Sequence, residues 1–267
     1  MVTIHMDVEG LKNIHSVLKV KGDEYVNLEG VKGKGIYFTC SNNEYFKRCL
    51  IESEVQNSFN YRVRKDNLKV VLGEGYLVIE EKKGTFVMAF KKEMDSGYLT
   101  VVRTDLERDI GIKGKEIRDL ILLSKNIQPT EMVERFKLNS IFNFSKLGNK
   151  GITFSDDIIY TEGEGFKVYS SIEEGQLNLT LTVDSAREFI DIMNGQRDGV
   201  VAWDIANYLL VYGNGIYFGC RKVRKVFTDD LKGFIEEIPI DRITVRMEDF
   251  KNVINSIKVT KNGYYEV

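Results

Sequence analysis

Nucleophilic or acid–base chemistry would have to be built from very few side chains in this chain of 267 residues. There are two histidines, His5 and His15, and three cysteines, Cys40, Cys49 and Cys220. His5 alternates with apolar neighbours, which suits a core or edge position in a sheet better than a general base. Neither histidine stands beside a nucleophile elbow, so no Ser–His–acid triad can be assembled. The interval between Cys40 and Cys49 is not a zinc spacing, and an odd number of cysteines without metal spacing suits a reduced, cytoplasmic chain. The glycine-rich stretches 30–35 and 163–165 connect strand to strand, whereas a phosphate cradle leads a strand into a helix. The carboxylate pairs Asp156-Asp157, Asp229-Asp230 and Glu236-Glu237 are sequence neighbours, whose side chains diverge in extended chain, so they read as loop residues and not as a two-metal site. We therefore expect no enzyme and no cofactor.

What remains is charge. Lysine and arginine total 38 against 40 aspartates and glutamates, a net charge of −2, so a nucleic-acid partner would have to be met by a locally basic surface. Lys12, Ser16 and Lys19 lie opposite an apolar helical face of Leu11, Ile14 and Leu18, with His15 beside them and Lys21 just beyond. Lys251, Asn255 and Lys258 repeat that spacing. Lys115, Arg118 and Lys125 accompany a further helical pattern, and Arg187 another, in the company of Glu188 and Asp191. Such cations make many weak, salt-sensitive phosphate contacts that position DNA without reading its bases. Arg62, Arg64, Lys65 and Lys69 alternate so that three could share a strand face and meet phosphate, a loading partner or another subunit. Arg221, Lys222, Arg224 and Lys225 follow a strand and read as charge that discourages edge pairing.

The elements that would position these charges are short. Hydrophobic residues make up 43% of the chain and charged residues 29%, enough for packed cores in about two domains. No apolar run approaches a membrane span, and the N-terminus has no basic segment followed by an apolar one, so neither a membrane partner nor a secretory signal is expected. Runs at 25–28, 36–40, 76–80, 86–90, 99–103, 152–154, 166–170, 177–182, 208–212 and 216–220 are strand-like and bounded by turns. Gly73-Glu74-Gly75 and Gly213-Asn214-Gly215 each sit between two of them, as hairpin turns do. Helical periodicity is confined to 8–20, 114–127, 184–194 and 248–258, with Asp7 and Asp184 placed as N-caps.

The chain also echoes itself. VTIHM at 2–6 resembles ITVRM at 243–247, and LKNIHSVLKV at 11–20 resembles FKNVINSIKV at 250–259, with Lys12, Asn13, Lys19 and Val20 identical to Lys251, Asn252, Lys258 and Val259. Each echo runs on into a tyrosine-containing strand, at 25–28 and 264–267. GIYFTC at 35–40, GITFSD at 151–156 and GIYFGC at 215–220 share a hairpin signature. This is strand, helix, strand used more than once.

In this order the chain resembles the bacterial β sliding clamps and their phage relatives. The opening VTIHMDVEGLKNIHSVLKV resembles that family's first strand and inner helix. LTLTVDSAREFIDIM at 179–193 resembles a second-half strand and helix, and the segment 208–227 the hairpin after it. The segment 228–239 resembles a linker, and 243–257 a new first strand and helix. The resemblance implies an α+β sliding-clamp fold: repeated domains of antiparallel sheet with short amphipathic inner helices. Its expected division is 1–108, 109–238, and 239–267 as the start of a third domain or a C-terminal extension. In the first domain YRVRKDNLKVVL at 61–72 has to supply a cut-down second helix. The family's three-domain form runs well past the position of Val267. The chain is thus either truncated or a two-domain clamp with an added element, and no residue of the family's peptide cleft, at the second–third domain junction, is carried over. The implied function is a ring-forming homo-oligomer that encircles duplex DNA and tethers a replicative DNA polymerase, with a clamp loader as further partner. Its expected DNA-binding residues are Lys12, Lys19, Lys21, Arg62, Arg64, Lys115, Arg118, Lys125, Arg187, Lys251 and Lys258. The rival is a β-rich phage structural or binding module with no DNA role.

Overall fold

The computed structural model describes residues 2–72, 75–82, 85–92, 95–102, 112–132, 151–155, 158–163, 166–171, 177–195, 200–223, 258–259 and 265–266. They fall into two compact units, Met1–Lys225 and Val226–Val267.

The first unit begins with a strand, β1 (Val2–Met6), and a helix, α1 (Val8–Leu18). Asp7 turns one into the other: its Oδ1 accepts the Gly10 N–H at 2.7 Å, the N-cap expected from the sequence. The apolar stripe of α1 buries Ile14, Val17 and Leu18. Three antiparallel strands follow, β2 (Tyr25–Val31), β3 (Gly35–Ser41) and β4 (Tyr45–Glu52). The same order then recurs as β5 (Phe59–Arg64), α2 (Lys65–Val71), β6 (Gly75–Lys82), β7 (Thr85–Lys92) and β8 (Asp95–Val102). Segment 61–72 thus does yield a cut-down helix, of seven residues. The two copies interlock, β1 pairing with β6 and β2 with β5.

After α3 (Gly114–Ser124) come β9 (Thr130–Met132), β10 (Ile152–Ser155), β11 (Ile158–Gly163) and β12 (Phe166–Ser171). They are followed by β13 (Leu179–Leu181), α4 (Val183–Gly195), β14 (Val200–Ile205), β15 (Tyr208–Gly213) and β16 (Ile216–Val223). Strand, helix and three strands appear here for a third time, from β13 to β16. The interlock is also repeated: β9 pairs with β14 as β1 does with β6, and β10 with β13 as β2 does with β5. By that correspondence β9 is the opening strand of its repeat, and α3, which precedes it, stands outside the repeat. The start of α4 differs from the sequence reading too. Thr182 Oγ1 accepts the Ser185 N–H at 3.3 Å, so Thr182 is the cap and Asp184 belongs to the first turn.

β2 to β4 of the first repeat and β13 to β16 of the last share one sheet with β5 and β9 to β12, while β1, β6, β7 and β8 form a second, four-stranded sheet. β16 lies antiparallel to β4, in the register Ile216↔Cys49, Phe218↔Lys47 and Cys220↔Tyr45, which joins twelve strands across the seam. Gly219 sits opposite Phe46, and a Cβ there would come within 2.2 Å of the Phe46 ring, so only glycine lets this ring lie across the seam. The expected hairpin at Gly213-Asn214-Gly215 is formed. Its two central residues, Asn214 and Gly215, have φ of 45° and 74°, as a two-residue turn matching strand twist requires.

Alternation along these strands divides the apolar residues between two faces. Tyr45, Cys49, Ile51, Leu209, Val211, Ile216 and Phe218 join Ile14, Val17, Phe189 and Ile190 in the main core beneath α1 and α4. Phe46, Tyr208 and Leu210 point the other way and pack with Ile112, Ile117 and Leu120 beneath α3. So α1 and α4 share one face of the sheet and α3 covers the opposite one.

In the second unit β17 (Lys258–Val259) pairs with β18 (Tyr265–Glu266) in the register Lys258↔Glu266 and Val259↔Tyr265. Lys258, the last residue of the helix expected over 248–258, is thus in a strand: β-branched Val259 and Thr260 and the turn-forming Asn262-Gly263 favour a hairpin there. The rest of that segment, with the echo at 243–247, lies outside the described residues.

Candidate nucleic-acid interface

The basic stripe of α1 is real and solvent-facing, because its apolar stripe is committed to the core. Lys12, His15 and Lys19 are exposed along it, and Lys21 follows. What faces them is acidic. Lys21 Nζ lies 3.8 Å from Asp184 Oδ1 at the start of α4, and Arg187 Nη1 lies 4.0 Å from the same oxygen. Glu188 and Asp191 continue the stripe at helical spacing from Asp184. Partial burial, then the Glu188 carboxylate, pushes Asp191 above the ordinary carboxylate value, against the pull of Lys47, Arg187 and Lys19. The α1–α4 face is therefore close to charge balance. Lys19, Lys21 and Arg187 do come together, but with three carboxylates among them, and Lys12 is exposed further back along α1.

One member of this network went unnoticed in the sequence. Lys47 is buried in β4, its Nζ 2.5 Å from Glu188 Oε2, and so ties α4 to a strand of the first repeat. A lysine inside the apolar run YFKRCLI was the available sign, since a buried lysine needs a carboxylate partner.

The remaining expected DNA-binding residues are placed elsewhere. Arg62 is buried, 3.2 Å from the equally buried Asp23 and stacked over the Tyr25 ring at 4.4 Å; its guanidinium is structural and unavailable to phosphate. Lys65 is buried as well and donates to the Val20 carbonyl at 2.6 Å. Arg64 remains exposed on β5, 3.4 Å from Glu24. Lys115, Arg118 and Lys125 ride on α3 and so lie across the sheet from Lys12 and Lys19. Arg118 reaches Glu29 of β2 at 3.6 Å. Lys251 lies outside the described residues, and Lys258 is in a strand.

The role of α3 is visible in its own contacts. The Tyr208 hydroxyl donates to Glu116 and accepts from Arg221 Nε at 2.7 Å, which fixes the helix to β15 and β16. On the other side Ile112 N–H donates to the Asn42 carbonyl at 2.9 Å and Ser41 Oγ donates to the Ile112 carbonyl at 3.1 Å. The segment 112–124 is thus a clasp spanning β4 and β16. Lys222 pairs with Asp204, so Arg221 and Lys222 are both occupied.

Thiol chemistry has no place here: burial pushes Cys40 and Cys49 up to about 12 and raises Cys220 as well. Among the described residues no group of three or more His, Cys, Asp or Glu is placed to hold a metal ion, and no helix is long and apolar enough to cross a membrane.

No family model matches the sequence, and no curated protein matches it. Solved structures match the fold closely in arrangement. The DNA polymerase III beta chain of Streptococcus pneumoniae superposes with a TM-score of 0.61 at 14% identity, over 98% of this chain and 76% of that one. The fold is that of a DNA sliding clamp. The Caulobacter crescentus pol III beta structure gives a TM-score of 0.61 at 11% identity over 95% and 74% of the two chains, and the Bacillus subtilis sliding clamp 0.60 at 12% over 95% and 72%. The interlocked repeats thus build a sliding-clamp fold on a sequence only 11–14% identical to these clamps.

Proposed function

We propose that this chain is a DNA sliding clamp: a homo-oligomer that closes into a ring around duplex DNA and tethers a replicative DNA polymerase, without bond chemistry of its own. The observation that carries the reading is geometric. Repeated strand–helix–three-strand units place α1 and α4 side by side on one face of the sheet that the first and last of them share through β4 and β16, and the sliding clamps that superpose on this chain support the same use. In this reading α1 and α4 face the DNA and α3 lies on the outside. The domain division is 1–108, 109–238 and 239–267, and a clamp loader is the further partner. Edge strands of neighbouring protomers pair head to tail to close the ring.

Charge balance on the α1–α4 face suits sliding, since weak contacts hold a duplex near the helices without fixing it. The same balance is also what a β-rich module without a DNA role would carry. One assay separates the two. Labelled protein is loaded on a nicked circular plasmid and challenged with salt, before and after linearisation. A clamp is retained on the circle and lost from the linear form, and native mass spectrometry gives a closed oligomer. Equal loss from both forms, or a monomer, overturns the proposal.

A further inference from the structure

One cavity is left unused by the clamp reading. It opens where the start of α1 meets the β15–β16 hairpin and has a volume of about 660 Å³. That lies within the range of ligand-binding clefts and is several times the volume of one side chain. One wall is aromatic: the Tyr212 and Tyr217 rings lie 4.5 Å apart at 39°, and Tyr37 adds a third ring. Tyr37 is held in place by Arg48, whose guanidinium is 4.0 Å from the ring centroid and bound in turn to Glu29 at 2.8 Å. Leu50 and Ile51 add apolar surface. The rim carries Asp7, Glu9 and Glu52, and among the described residues no lysine or arginine lines the cavity.

These carboxylates differ from several others in the unit. Asp23, Glu29, Glu188 and Asp204 each have a basic partner. Among the described residues neither Glu9 nor Glu52 has one, and Asp7 commits only one oxygen, to the Gly10 N–H. The turn residue Gly215 closes this end: a Cβ there would lie 3.0 Å from Asn13 Nδ2. Unpaired carboxylates beside tyrosine ring faces form a receptor for a cation, which the rings attract through their quadrupoles and the carboxylates through charge-assisted hydrogen bonds.

We propose that this cavity binds a linear peptide segment of a partner protein in which an arginine or lysine stands beside an aromatic or aliphatic residue. The cation sits between the acidic rim and the Tyr212–Tyr217 pair, and the apolar neighbour covers Leu50 and Ile51. The size of the cavity calls for several residues, and its charge selects a basic segment over an acidic one. The site lies wholly within Met1–Lys225 and depends neither on ring closure nor on DNA.

The test is a titration of the full chain carrying ring-labelled tyrosine, followed by NMR, with resonances assigned through single Tyr→Phe variants. The probes are the capped tripeptides acetyl-Leu-Arg-Phe-amide and acetyl-Leu-Glu-Phe-amide, with spermidine as a free polycation. The arginine peptide is expected to shift Tyr37, Tyr212 and Tyr217 saturably, and the glutamate peptide to bind at least about tenfold more weakly, as two or three like-charge contacts require. The double variant Glu9→Gln, Glu52→Gln and the single variant Tyr212→Ala alter exposed side chains, and each is expected to weaken the arginine peptide about fivefold or more with an unchanged thermal transition. Equal binding of the two peptides overturns the proposal. So do shifts confined to other tyrosines, no saturable shift, or spermidine binding as tightly as the peptide.

Discussion

Replacing Arg62 by alanine is expected to destabilise the fold by about 3 kcal/mol, because it strands a buried carboxylate. Asp23 is as deeply buried as its partner and lies 3.2 Å from it. The double replacement Arg62→Met, Asp23→Leu removes both charges and is expected to recover most of that loss, with urea denaturation as the measure. If instead the alanine variant keeps its stability and loses only DNA affinity, Arg62 is a phosphate contact after all. A second residue is strained in the opposite sense. Ala206, between β14 and β15, has φ of 48°, a left-handed conformation that costs a residue with a Cβ about 1 kcal/mol. Ala206→Gly is expected to raise stability by roughly 0.5 kcal/mol after the extra entropy of glycine in the unfolded chain is subtracted. Asp191 gives a pH signature. Its folded-state value is raised above the ordinary 3.8, so the folded state holds this proton more tightly than the unfolded chain does. Its charge therefore weakens the fold at neutral pH, and the penalty fades as pH falls through the raised value towards the ordinary one. Asp191→Asn is expected to be more stable than the parent at pH 7 and to lose that advantage in acid, as paired melts across pH will show.

At the level of elements, the helices make opposite predictions about DNA. Lys12→Gln with Lys19→Gln removes two cations from the face proposed to meet the duplex, and is expected to lower the magnitude of the salt slope of binding by about two. Asp184→Asn with Asp191→Asn is expected to tighten binding. Lys115→Gln with Lys125→Gln, on the other face of the sheet, is expected to change nothing. Equal effects from the α1 and α3 pairs would sink the assignment of faces. This distinction was not legible in the sequence. Periodicity located α1, α3 and α4 and showed which side of each is apolar, but an apolar stripe fits either face of a sheet. What places α3 is Phe46, Tyr208 and Leu210 pointing away from α1, a fact of strand register across more than a hundred residues. Strands and turns were easier, because β-branched runs and Asn-Gly turns act locally. Arg62 failed for the same reason as α3: alternation shows that it shares a face with Arg64 but not that Asp23, 39 residues earlier, closes over it. The cap of α4 was misread by two positions because Thr182, Asp184 and Ser185 are all competent capping types, and only the backbone decides among them.

For the whole of Met1–Lys225 the seam between β4 and β16 decides how the repeats behave together. The main core runs across it without a break, from Ile14 and Val17 of the first repeat to Phe189 and Phe218 of the last. Lys47 anchors α4, and the α3 clasp covers the other side. Neither set of strands can keep its core dry alone: without β16, β4 becomes an open edge carrying Tyr45, Cys49 and the buried Lys47. The unit is therefore expected to unfold in one cooperative step, with circular dichroism and Trp203 fluorescence giving coincident transitions. Gly219→Val tests the same claim from inside. Its side chain would have to occupy the place of the Phe46 ring, which ties β4 of the first repeat to the clasp and to Tyr208 and Leu210 of the last. The expected loss is about 3 kcal/mol or more, and it is expected to lower both probes together. Two separated transitions in the parent, or a Gly219→Val variant in which the first repeat melts unchanged, would show that the repeats are joined at the seam but do not depend on it.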